Sequence, residues 1–181
     1  MARAGRGGFI PQFFDADPTL ALTAFAVARL VRPTTTVECG VGAGITSAVL
    51  LEGLSCGNGR LLSIDMPPLS DPDGEMCGAA VDPSQAGRWT VRLGSTRRIL
   101  PAMLRHEERV EFLVSDSANV FTLQRFELGS CWRRMGAGAW ALINNPTART
   151  VHYARSLPGA SVWVVAQLDK APCVTALLAK G

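Results

Sequence analysis

Apolar positions along the chain fall into two alternating rhythms. Leu20, Leu22, Ala24, Phe25, Val27, Ala28 and Val31 mark one face of a helix that opens at Asp17-Pro18, a capping residue followed by proline in the first turn, and stops near Pro33. Thr34–Cys39 then forms a short β-branched run cut off by glycines, as expected of a strand. The exchange continues with a helix over Ile45–Leu54 and strands over Arg60–Met66 and Trp89–Leu93. A helix over Ser95–Glu108, a strand over Val110–Val114, a helix over Val120–Met135 and a strand over Ala139–Ile143 come next. A helix over Thr147–Ser156 and strands over Ser161–Gln167 and Cys173–Ala179 complete the chain.

Interior strands that are apolar along their whole length must be covered on both faces, and strands that alternate with helices are joined by crossovers. The pattern therefore predicts a three-layer, doubly wound α/β domain with a mostly parallel, seven-stranded sheet. The 181 residues suit one such domain over residues 17–181. Residues 1–16, Gly- and Arg-rich and then aromatic at Phe9, Phe13 and Phe14, are expected to form a flexible or lid-like N-terminal segment. The same aromatic cluster would also suit a homodimer interface. The Pro/Gly/Asp-rich stretch 67–87 reads as a long functional loop.

Composition narrows the function. Lys and Arg number 18 against 15 Asp and Glu, a net charge of +3, too balanced to suggest a nucleic-acid partner. The five cysteines are odd in number and scattered, without metal-ligand spacing, and no apolar run is long enough to span a bilayer. These features point to a reduced, cytoplasmic protein with no membrane association. His106 and His152 read as surface residues, Cys39 as a buried strand end, Trp132 and Trp140 as core. Lys170 and Lys180 read as solvated, as do the arginine pairs at 97–98 and 133–134.

The chemistry gathers behind the first strand, where a doubly wound sheet binds its ligands. There the chain reads Glu38-Cys39-Gly40-Val41-Gly42-Ala43-Gly44, and Asp65 closes the second strand. Glycines admit a ligand close to the backbone, and an acid on the neighbouring strand end can accept both hydrogen bonds of a ribose diol. A dinucleotide loop requires GxGxxG, but the spacing here is GxGxG, which disfavours a nicotinamide-dependent oxidoreductase.

The acid-led GxGxG resembles motif I of the class I S-adenosylmethionine-dependent methyltransferases. LLSIDM resembles that family's ribose-binding strand end, LGSTRRILPAML its adenine-side segment, and MGAGAWALINN its fifth strand. The resemblance runs from Asp17 to Lys180 and implies S-adenosylmethionine as cofactor. It assigns Glu38, Gly40, Val41, Gly42 and Gly44 to the amino-acid part of the cofactor. Asp65 and Met66 fall to the ribose, Gly94 and Ser95 to the adenine, and Asp116 to the methyl-transfer end.

In the small-molecule O-methyltransferase branch, which the chain resembles most, a divalent cation is held by an Asp after the fourth strand and an Asp-Asn pair after the fifth. The matching positions are Asp116, Asn144 and Asn145, so an amide replaces one carboxylate. Hard cations favour carboxylate oxygens, and metal affinity should therefore be weak. The expected activity is methyl transfer to a hydroxyl of a small metabolite, with Asp116 and Asn145 as catalytic residues and no metal ligands. The rival expectation is a catalytically inactive, methyltransferase-like protein that binds the cofactor or a partner chain.

Overall fold

A computed structural model describes residues 18–67, 69–167 and 173–181. The expected N-terminal segment, the Asp17 cap and Lys170 lie outside the described residues. The elements follow the order α1 (Pro18–Val31), β1 (Thr35–Cys39), α2 (Ile45–Leu54), β2 (Arg60–Asp65), β3 (Trp89–Leu93), α3 (Thr96–Leu104), β4 (Phe112–Ser115), α4 (Phe121–Trp132), β5 (Trp140–Asn144), α5 (Ala148–Arg155), β6 (Ala160–Ala166) and β7 (Val174–Lys180).

The seven strands form one sheet in the order β3-β2-β1-β4-β5-β7-β6. β1 to β5 pair in parallel, and β7 runs antiparallel to both β5 and β6. β1 and β4 are neighbours whose crossovers leave in opposite directions, so the topological switch point falls between them.

Consecutive side chains of the central strands enter different cores, as the pleat requires. Leu61, Phe112 and Leu142 pack with Leu20, Leu50 and Leu54 under α1 and α2. Leu62, Leu113 and Ile143 pack with Leu100, Leu128 and Trp132 under α3, α4 and α5. All five residues of β1 are buried, which accounts for its β-branched sequence and leaves Glu38 as the buried acid near its end.

Several boundaries differ from the sequence expectation for local reasons. α3 ends at Leu104, four residues early, because Glu107 turns inward to pair with Arg60 and to accept from Thr35 Oγ1 at 3.5 Å. β4 is shifted forward to include Ser115, whose hydroxyl bonds a buried acid on α4. α4 ends at Trp132, and Lys180 Nζ donates to the carbonyls of Trp132 (3.0 Å) and Met135 (2.7 Å). Lys180 is thus half-buried as a cap on the end of α4 and not solvated. Arg134 likewise is half-buried, donating to the Glu107 carbonyl at 2.8 Å. Cys39 and Trp132 are core residues, and His106 and His152 are exposed.

The long connection between β2 and β3 contains a 3-10 turn, Pro83–Arg88, capped by Asp82. Upstream of it, the Gly78 N–H donates to the Gly42 carbonyl at 3.0 Å and the Ala80 N–H to the Ala43 carbonyl at 2.8 Å. The stretch therefore rests on the glycine loop.

Candidate active site

β1 delivers its last residues to the switch point. Glu38 lies one residue before the end of the strand with its side chain fully buried. Its Oε2 accepts hydrogen bonds from Ser47 on α2 (2.7 Å) and Ser63 on β2 (2.6 Å), while Oε1 is buried with no partner. Burial raises the Glu38 carboxyl to about 7, the two serines pull it back, and the nearby Asp116 and Asp65 charges add to the rise. Near neutral pH this acid is poised between its two forms, and a cation placed at Oε1 would draw it to the charged one.

Beyond Glu38 the backbone turns through three left-handed glycines, Gly40 (φ 91°), Gly42 (φ 54°) and Gly44 (φ 87°). The protein's own packing demands two of them. A Cβ on Gly40 would overlap the Asp116 carbonyl, 2.6 Å from its carbon, and one on Gly44 would lie 2.6 Å from Gly78 Cα. Gly40 thus lets the loop after β1 touch the loop after β4, a contact tied by the Asp116 N–H donating to the Cys39 carbonyl at 2.7 Å. Val41 is buried, and Gly44 opens α2 without a side-chain cap.

Asp65 closes the neighbouring strand. Its Oδ2 accepts from the Gly42 N–H at 2.8 Å and, weakly, from the Cys77 thiol at 3.7 Å, while Oδ1 accepts from the Met66 N–H at 2.8 Å. The carboxylate is held rigidly with lone pairs to spare, since each oxygen offers two. The Gly94 N–H donates to the Asp65 carbonyl at 2.7 Å, which brings Gly94 and Ser95 beside it, and Met66 is exposed. One hydrogen-bonded rim therefore joins the glycine loop, Asp65 and the start of α3. The Cys77 thiol, pushed up to about 12 by burial and by Asp65, stays protonated there.

At the other end of the rim, Asn144 Nδ2 donates to Asp116 Oδ1 at 2.6 Å. Gln167 Nε2 donates to Asn144 Oδ1 and, at 2.8 Å, to Thr175 Oγ1. The amide thus bonds Asp116 through its nitrogen, while its oxygen accepts from Gln167. One carboxylate braced by an amide nitrogen does not fit a hard dication, which requires oxygen donors turned inward. Asn145 has a left-handed backbone (φ 42°), its N–H bonds the Val174 carbonyl at 2.9 Å, and its carbonyl accepts from Gln124.

The sequence reading missed the buried polar residues behind this rim. Besides Ser47 and Ser63 they include Gln124, which ties the turn after β5 to α5, and Glu127. Glu127 is buried on α4 and accepts from Ser115 (2.7 Å) and Ser117 (2.9 Å), bracing the Asp116 loop from beneath. Burial raises its carboxyl. The available signal was a serine interrupting an apolar strand, as in LLSID and FLVSDS.

No protein-family profile matches the chain, and no curated protein matches its sequence. Solved structures do. An O-methyltransferase from Bacillus cereus, crystallised with S-adenosylhomocysteine, superposes with a TM-score of 0.73 at 15% identity over 94% of this chain and 84% of that one. TomG from Streptomyces achromogenes, an O-methyltransferase of tomaymycin synthesis in complex with S-adenosylmethionine, gives 0.71 at 18% identity over 94% and 83%. A Podospora anserina methyltransferase bound to S-adenosylhomocysteine gives 0.70 at 12% identity over 97% and 84%. The chain therefore has the seven-stranded, Rossmann-like fold of these methyltransferases.

Proposed function

We propose that the protein binds S-adenosylmethionine at the rim formed by Glu38, the glycine loop and Asp65, and transfers its methyl group to a hydroxyl of a small metabolite. The observation that carries this reading is the buried Glu38 carboxylate, one oxygen of which has no partner beneath a glycine loop at the switch point. A buried acceptor of that kind is costly unless a donor completes it, and the ammonium of an amino-acid moiety is such a donor. Asp65 would take the ribose hydroxyls, with Met66 beside it, and Gly94 with Ser95 would lie against the adenine. The cofactor supplies a methyl group activated on a sulfonium.

This chain's residues then have to orient the acceptor hydroxyl and receive its proton. Asp116 presents the carboxylate for that role. Asn144 and Gln167 fix its orientation, and Asn145 shapes the adjoining turn. A dication has no part in this arrangement, because the amide already serves as the partner of Asp116.

The cysteines are all free thiols, including Cys39 and Cys131 in the core, which suits a reducing, cytoplasmic compartment. No helix among the described residues is long and apolar enough to cross a membrane. A homodimer is proposed on the aromatic cluster Phe9, Ile10, Phe13 and Phe14 alone.

Calorimetric titration with S-adenosylhomocysteine, followed by methyl transfer to a panel of hydroxylated small molecules with and without chelator, tests the reading. Micromolar binding together with turnover that survives chelation supports it. Binding without turnover would leave a cofactor-binding protein, and no binding would overturn the site.

A further inference from the structure

The near balance of charge in the sequence conceals a segregation in space. The helices α3, α4 and α5, which cover one face of the sheet, carry Arg97, Arg98, Arg125, Arg149 and Arg155. Their single carboxylate is Glu127, which is buried beneath them. Among the described residues the ion pairs are Arg60–Glu107 and Arg109–Glu111, both outside these helices, and within the layer only Arg97 acts on the buried Glu127 carboxylate, without forming an ion pair.

Two surface cavities lie in this layer, of about 480 and 440 Å³. The larger runs between α4 and α5 and is lined by Phe121, Arg125, Arg149, His152 and Tyr153. The smaller lies beside it on the α3 side, lined by Arg97, Arg125, Phe126 and Arg133, with the Thr122 and Ser130 hydroxyls. Arg125 and Tyr153 belong to both, so the two cavities form one groove.

The guanidiniums in it are positioned by aromatic rings. Arg149 lies 4.3 Å over Phe121, Arg97 5.3 Å over Phe126 and Arg125 5.4 Å over Tyr153. A guanidinium stacked on a ring can still make paired hydrogen bonds through its N–H edge, and less rotamer freedom is lost when an anion arrives. Arg97 already gives one donor to the Thr122 carbonyl at 3.0 Å, which leaves Arg125 and Arg149 as the main anchors. Stacked forks gathered in one groove, with no ion pair to a carboxylate among the described residues, make a recognition surface for phosphate oxygens.

We infer that this groove is a binding site for a small soluble ligand carrying an oligophosphate chain, separate from the cofactor rim and independent of any methyl transfer. Charge density decides the class. Each cavity is an open cleft with the volume of a small-molecule site. Four arginines within one groove call for several negative charges in that volume. A phosphate group carries between one and two charges against one for a carboxylate, so a short phosphate chain concentrates them where an acidic peptide spreads them.

Calorimetric titration of the full chain with sodium tripolyphosphate at about 150 mM salt tests this, a condition that screens scattered surface charges but not a converging set. Saturable one-to-one binding is expected, at least about tenfold tighter than orthophosphate. Arg125→Ala should weaken it by about tenfold or more, Arg149→Ala by less, and Arg32→Ala, which removes the same charge at the end of α1, should leave it unchanged. Thermal melting establishes that each variant folds, and a defect in one leaves the other to decide. Absence of saturable binding, equal losses in Arg125→Ala and Arg32→Ala, or tighter binding of a glutamate peptide or a single-stranded oligonucleotide would overturn the assignment.

Discussion

The two ends of the candidate site hold their carboxylates in opposite ways. At Glu38 one oxygen is satisfied by two serines and the other is buried with no partner, so the group is left short of a donor. At Asp116 the carboxylate already has an amide partner, Asn144, which is itself held by Gln167. One end is built to be completed by something that arrives. The other is completed by the protein in the place where the resembled branch puts a cation. Binding and catalysis should therefore respond differently to mutation, pH and metal.

The sharpest break in that comparison is expected at Gly40, where the two ends touch. Gly40→Ala combines a left-handed φ of 91° with overlap onto the Asp116 carbonyl, and backbone has nowhere to yield cheaply. A loss of about 3 kcal/mol or more of stability is expected, read by urea denaturation. Gly42→Val should instead be read in cofactor affinity, since a β-branched residue strained at a left-handed φ of 54° shifts the N–H that anchors Asp65 at 2.8 Å and adds bulk to the loop.

Protonation separates the ends next. The folded Glu38 carboxyl, at about 7, lies above its ordinary value of 4.5, so folding favours the protonated form. The stability this provides is fully present below pH 4.5 and is lost as pH rises through 7, with an amplitude on the order of 3 kcal/mol. Glu127, raised by burial, acts in the same direction. Chemical denaturation between pH 5 and 8 should show stability falling, and Glu38→Gln should flatten much of that fall. Cofactor affinity should run the opposite way, strengthening as Glu38 ionises, with proton release visible when calorimetry is repeated in buffers of different ionisation enthalpy.

A smaller effect is expected from Asp65→Ala, which removes a charged acceptor at the strand end. Affinity for S-adenosylhomocysteine should fall by about tenfold or more, because hydrogen bonds to a charged group are each worth roughly 1.5–3 kcal/mol. Unchanged affinity would move the ribose elsewhere.

The fold was legible because its signals are local. The β-branched run of β1, the apolar runs of β4 and β5, and the glycines of the first loop are readable within a few residues of themselves. The site was legible in outline, through the acid before the glycines and Asp65 at the next strand end. The residues that complete it were not, because their meaning depends on partners far away in the chain. Ser63 matters through Glu38, Glu127 through Ser115 and Ser117, and Gln167 through Asn144. Lys180 looked solvated for the same reason, as nothing near it in sequence reveals the carbonyls of Trp132 and Met135. The charged helix layer shows this most plainly, since totals near balance say nothing about which face holds which sign.

The mildest and most discriminating change restores the carboxylate at the closed end. In Asn144→Asp the donor that held Asp116 Oδ1 at 2.6 Å becomes a second acceptor, and two like charges then face each other at hydrogen-bond distance. Without metal the variant should lose about 1–2 kcal/mol of stability near neutral pH, and one of the two carboxyls should titrate upward as the pair shares a proton. Gln167 can still donate to residue 144, so the position remains anchored and the new oxygen stays beside Asp116. Magnesium or calcium should then recover the lost stability by supplying the positive charge that the amide nitrogen approximated, and the unmodified protein should show no such response. Thermal melting of both proteins across a cation titration reads this directly. If the unmodified protein is stabilised by the cation as strongly as the variant, Asn144 is a ligand through its oxygen and the closed end is in fact an open metal site. If neither responds, the amide has replaced the cation in a geometry that a single carboxylate cannot undo.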